Sequence, residues 1–98
     1  MIGYTLQFKT YTTADIVPQP AKILHYNFKN NGSTIAIIEP ADISPGENVA
    51  MLEPGEALDT RLINGRDLTK YRIRFKSIND QDAESQISEL LVTTFIAV

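Results

Sequence analysis

Lys70-Tyr71-Arg72-Ile73-Arg74-Phe75-Lys76-Ser77 sets a basic or polar residue against an apolar one at every second position. Side chains on an extended strand point alternately to its two faces, so Tyr71, Ile73 and Phe75 are expected in a core and Lys70, Arg72, Arg74 and Lys76 on the opposite side. The same period of two runs through the flanking chain. Ile2, Tyr4, Leu6 and Phe8 alternate with Gly3, Thr5, Gln7 and Lys9, which predicts a first strand with one face in the core. Threonines from Thr10 to Thr13 extend its β character through their branched side chains. Asp15 to Pro20 reads as a loop, since Pro18 and Pro20 donate no ladder hydrogen bond. Ala21 to Phe28 reads as a second strand, with Leu24, Tyr26 and Phe28 on one face and Ile23, His25 and Asn27 on the other. Thr34 to Glu39 is a nearly continuous apolar strand, Val49 to Leu52 a short one, and Glu89 to Val98 the last.

Between these runs lie residues that demand turns. Asn30-Asn31-Gly32-Ser33 and Ile63-Asn64-Gly65-Arg66 have the composition of tight hairpins. Ser44-Pro45-Gly46-Glu47 and Glu53-Pro54-Gly55-Glu56 each place Pro where a type II turn wants a preset φ and Gly where it wants a positive one. Short strands with turn signals about every 8–12 residues predict an all-β fold, an antiparallel β-sandwich or jelly-roll-like barrel of about seven or eight strands. At 98 residues it is expected to form one domain over residues 1–98.

Composition narrows the function. An apolar fraction of 43% with 21% charged residues belongs to a folded globule and not to a disordered chain. Without cysteine there is neither a disulfide framework nor a thiolate zinc site. No signal peptide or apolar run long enough for a membrane helix is seen, which suggests a cytoplasmic or particle-borne protein. A net charge of −3 weighs against general binding to nucleic acid, whose phosphates are held by accumulated Lys and Arg. The charge is nevertheless segregated. Glu39, Asp42, Glu47, Glu53, Glu56 and Asp59 occur in a segment free of Lys and Arg, and the basic residues from Arg61 to Lys76 face only Asp67. An acidic side and a basic side are expected, an arrangement suited to association.

Catalytic machinery is not recognisable. His25 is the sole histidine, set in mid-strand, and reads as a partly exposed strand residue. The glycines are isolated and form no phosphate loop. Asn79-Asp80-Gln81-Asp82-Ala83-Glu84 carries oxygen donors at alternate positions, but lacks the glycine and the distal carboxylate of a calcium loop, so it reads as a solvated connection. Neither a metal nor another cofactor is expected. The basic stripe admits three readings: a solvated face or charge-guarded edge, a contact for an acidic partner, or a track for single-stranded nucleic acid. Tyr71 and Phe75 fall on the other face, which removes the stacking platform the third would use.

The two ends of the chain carry more information. On the last strand Leu90, Val92, Ile96 and Val98 share one face, and Leu91, Phe95 and Ala97 share the other. Apolar residues on both faces of a terminal strand mean either a covered central strand or burial against another molecule. The second reading is adopted, with the first strand as its neighbour. The expected contact residues are Ile2, Tyr4, Leu91 and Phe95, with Lys70, Arg72, Arg74 and Lys76 setting orientation.

The run Tyr26-Asn27-Phe28-Lys29-Asn30-Asn31-Gly32-Ser33, the strand Ile35 to Glu39 and the two Pro-Gly-Glu turns together resemble small β-sandwich proteins of bacteriophage particles, such as decoration, spike and collar components. That resemblance covers the middle third of the chain and implies a non-enzymatic virion protein that assembles with itself or with other virion proteins, without membrane or small-molecule substrate. A module binding glycan or another ligand through loops around Tyr11, Tyr26 and Tyr71 is the alternative, and a single-stranded nucleic-acid binder a further one.

Overall fold

A computed structural model describes residues 3–44, 46–61, 67–78 and 86–98. Among them are eight strands: β1 (Tyr4–Tyr11), β2 (Asp15–Ile16), β3 (Ile23–Asn30), β4 (Ile35–Pro40), β5 (Ala50–Leu52), β6 (Ala57–Asp59), β7 (Tyr71–Lys76) and β8 (Leu90–Ala97). They form two four-stranded sheets, in the orders β1-β8-β3-β6 and β2-β7-β4-β5, with every pairing antiparallel. The fold is all-β and has the two-sheet architecture of a β-sandwich.

The core lies between the sheets. The first contributes Tyr11, Ile23, Tyr26, Phe28, Leu90 and Val92, and the second Ala36, Ile38, Leu52 and Ile73. Tyr71 meets Tyr26 and Phe28 edge-on, each at 5.4 Å between centroids, so aromatic edges and faces lock the two sheets together. Burying these rings lifts the Tyr26 phenol to about 12, through desolvation first and the neighbouring Asp67 second.

Three local expectations give way to the fold. Asp15–Pro20 is not wholly a loop: Asp15 and Ile16 pair with Ile73 and Arg72, and Val17 is buried. On β3 the alternation breaks at Leu24. A bulge there places Ile23 opposite Ile96 and His25 opposite Phe95, so Ile23 enters the core while Leu24 stays out of it. One extra residue in a strand moves the residues before it to the other face, an event that simple periodicity does not register.

The third correction concerns Asn30–Ser33. The turn is present, but it closes no hairpin, because β3 and β4 belong to different sheets. The side chain of Asn30, fully buried, holds this arch. Its Nδ2 donates to the carbonyls of Thr34 and Leu52, both at 2.8 Å, and its Oδ1 accepts the Gly32 N–H at 3.0 Å. The Asn30 backbone is tied to the Glu53–Glu56 turn through Gly55 and Glu56, so one residue organises two crossings between the sheets. Gly32 is needed for closeness, since a Cβ there would run into the Ile87 carbonyl and lie 2.7 Å from the Glu89 nitrogen.

The Pro-Gly-Glu turns match their sequence reading. Gly46 and Gly55 have φ of 91° and 90°, and the N–H of Glu47 and of Glu56 bonds back to Ser44 and Glu53 respectively. Ile63–Arg66, Asn79–Glu84 and Ile2 lie outside the described residues.

Candidate docking surface

Pairing assigns every strand residue to a face, and the two outward faces differ. On the first sheet, Tyr4 lies opposite Ala97, Leu6 opposite Phe95 and Phe8 opposite Thr93. His25 follows beside Phe95, and Lys29 beside Leu91. All of these point away from the core, because their neighbours Val92, Tyr26 and Phe28 point into it. Sequence alternation had placed the apolar residues of β1 inward; the structure turns them outward. Tyr4, Leu6 and Phe8 are 57%, 40% and 64% exposed.

The reversal has a cause in the opposite layer. The chain passes from β1 into β2 of the second sheet, and β2 is two residues long against eight for β1. Most of β1 therefore has little across from it, and its inward positions Thr5, Gln7 and Lys9 are polar and exposed. Only Tyr11, at the end nearest β2, is buried.

Across the outward face the aromatic rings form a short run. Phe95 lies 5.7 Å from Tyr4 and stacks on His25 at 4.1 Å with 15° between the planes. His25 is 8% exposed, more enclosed than a partly exposed strand residue. Among the described residues its Nε2 finds no hydrogen-bond partner, and it stands 3.9 Å from Asp59 Oδ1. Desolvation lowers the imidazole pKa below 6.5, against the smaller opposing pull of Asp59. The ring is thus a neutral, mostly apolar part of this surface, stacked on Phe95.

The second sheet presents a different outer face. Arg72, Arg74 and Lys76 lie on it opposite Glu39, Ile37 and Ile35. Arg72 Nε and Arg74 Nε donate to Glu39 Oε1 at 2.9 and 2.7 Å, while the Gly46 N–H donates to Oε2 at 2.9 Å. The guanidinium of Arg72 also reaches the carbonyls of Ala41 and Ile43. The β4–β5 connection thereby folds back over the sheet and encloses the Glu39 carboxylate, which has no exposed side-chain surface. The Gly46 N–H and the Arg74 hydrogen bonds, with Arg72, hold its pKa down at about 2.

The expected contact residues consequently fall into two groups. Tyr4, Leu91 and Phe95 share the outward face of the first sheet; Arg72, Arg74 and Lys76 belong to the second, with Lys70 just ahead of β7, and do not join them. Two of the four basic residues are matched within the chain by Glu39, so acidic and basic segments meet internally instead of forming separate sides. Leu91 and Phe95 are half-buried, neither sealed in nor free. The role of Glu39 was not apparent in sequence, although a lone carboxylate at the end of an apolar strand is a signal for a buried ion pair.

A cavity of about 470 Å³ opens between the sheets at the β5–β6 end, with Asp59, Arg61, Asp67 and Tyr71 among its walls. Both Asp67 oxygens are engaged, one by the Thr69 N–H and the other by the Tyr71 hydroxyl. Of the tyrosines considered for a ligand platform, Tyr11 and Tyr26 are buried, and Tyr71 packs against Tyr26 and Phe28 while also lining this cavity. Among the described residues no helix is long and apolar enough to cross a membrane. No protein-family model matches the chain, and neither curated proteins nor solved structures provide a match.

Proposed function

We propose that this chain is a non-enzymatic structural protein, a component of a bacteriophage particle, that works by docking through the outward face of its first sheet. The observation that carries the docking is the row Tyr4, Leu6 and Phe8, three large apolar side chains exposed in register beside Phe95. Scattered exposed apolar residues are ordinary, but a contiguous row continued by a half-buried aromatic marks a contact surface. The assignment to a particle rests on the turn-and-strand resemblance in the middle third of the chain.

Sedimentation velocity across a concentration series, with co-sedimentation on purified particles, tests the reading. Self-association or particle binding is expected, and the double change Tyr4→Ser with Phe8→Ser is expected to weaken it at least tenfold, about 1.4 kcal/mol. A chain that stays monomeric at high concentration and binds no particle overturns the proposal.

A further inference from the structure

The four sheet edges are unequal. β6, β2 and β5 expose edges of three, two and three residues. β1 exposes eight, and its other side is bonded to β8 along its entire length. Short strands are the usual means of blunting an edge, along with proline, bulges and charge. β1 contains no proline, is paired without a register shift and carries one charge, Lys9. An edge of this length, unpaired along its outer side among the described residues, is a template for another strand.

We infer that β1 pairs antiparallel with β1 of a second copy of this chain about a two-fold axis at Gln7, joining the two first sheets into one eight-stranded sheet. The inference deepens the docking reading above and rests on it. An axis perpendicular to the sheet keeps outward residues outward, so only registers that oppose residues of like face are allowed. Centring on Gln7 puts Leu6 opposite Phe8 of the second copy, twice, and Tyr4 opposite Thr10. Apolar residues then run unbroken across the junction, and cross-strand aromatic–aliphatic pairs of this kind favour pairing. The same register sets Lys9 opposite Thr5, so the two ammonium-bearing positions lie about 13 Å apart along the strands, beyond the ~8 Å screening length at physiological salt. Centring on Lys9 would bring them face to face. Pairing of two such edges covers on the order of 400–500 Å² of each copy, towards the low end for specific interfaces. A dimer formed at high concentration, and not an obligate one, is therefore expected.

The chain has no cysteine, which makes a clean cross-linking test possible. Gln7→Cys places two thiols directly opposite one another across the axis, where Cα separations of about 4.5–5.5 Å suit a disulfide. Thr5→Cys, equally exposed, places them about 13 Å apart. Under mild oxidation at roughly 100 µM, Gln7→Cys is expected to form covalent dimer at least about tenfold faster than Thr5→Cys, an advantage set by local concentration. Adding Leu6→Lys to Gln7→Cys should remove that advantage. Equal rates for the two cysteine variants overturn the inference. If wild type still dimerises or binds particles in that case, only the edge pairing fails and the docking reading stands. If wild type does neither, both fall.

Discussion

The two outer faces of this sandwich solve the same problem in opposite ways. On the second sheet the chain covers part of itself: the β4–β5 connection closes over Glu39 and Arg72, and a buried charge is matched by two guanidiniums and a backbone N–H. On the first sheet no described segment crosses over Tyr4, Leu6 and Phe8, and the enclosed titratable group, His25, stays neutral with Asp59 at 3.9 Å. The ionic cluster is completed within the protomer, although Ile16 and Met51 stay exposed on the same face. The apolar row beside the β1 edge is the surface proposed above to dock. The difference teaches that a basic stripe in the sequence is a poor guide to free charge here, since Glu39 engages two of its four members.

The largest expected effect lies where the two halves are tied. Asn30→Ala removes the partner of two buried carbonyls and of the Gly32 N–H. At ~1–3 kcal/mol for each unsatisfied group, softened by local rearrangement, a loss of about 3–5 kcal/mol is expected in urea denaturation. A loss below about 1 kcal/mol would mean that the arch does not hold the sheets together.

Next comes the self-covered face. Glu39→Gln leaves Arg72 and Arg74 without their counter-charge and should move the urea midpoint clearly downward. Replacing all three together by apolar residues of similar volume should recover much of that loss, because no desolvated charge then remains.

The pH dependence separates the faces directly. Glu39 has its pKa lowered from 4.5 to about 2, so the unfolded chain takes up that proton first as acid is added. Its contribution is complete above pH 4.5 and is lost as pH falls toward 2. His25 is depressed below 6.5, so its neutral burial becomes a penalty as pH falls below 6.5, where the unfolded chain protonates more readily. Thermal midpoints from pH 7 to 2 should therefore fall in two stages. His25→Phe should flatten the upper stage and Glu39→Gln the lower. An unchanged upper stage in His25→Phe would contradict the neutral, enclosed histidine.

Smaller still is Gly55→Ala. There is open space around the position, so the positive φ alone opposes a side chain, at a cost of about 1 kcal/mol by the same denaturation measurement. Smallest on stability, within about 0.5 kcal/mol, is Phe8→Ser, because the ring is mostly in solvent. Its effect should instead be on association. If Phe8→Ser destabilises the protomer as a core substitution would, the contrast between the two faces is wrong.

Much of this architecture was legible in the chain itself. Alternation located β1, β3 and β7, apolar runs located β4 and β8, and the chemistry of Pro and Gly at the two Pro-Gly-Glu turns foretold a positive φ that is present at both glycines. Such features depend on neighbours in sequence, through side-chain alternation and the steric limits of single residues. The candidate surface was only half legible. Tyr4, Leu91 and Phe95 do share a face, but the basic residues assigned with them lie across the molecule, and Ile23 changed sides through a bulge.

What the sequence by itself determined is the all-β class and the pattern of apolar positions, because period and turn chemistry act over a few residues. Tertiary structure alone decided which side of β1 faces water, that Asn30–Ser33 spans two sheets, and that Glu39 meets Arg72 and Arg74. Those outcomes depend on the length of the strand in the opposite layer and on pairings between residues more than thirty positions apart. A strand announces that it has an apolar face; only the layers around it determine what that face will touch.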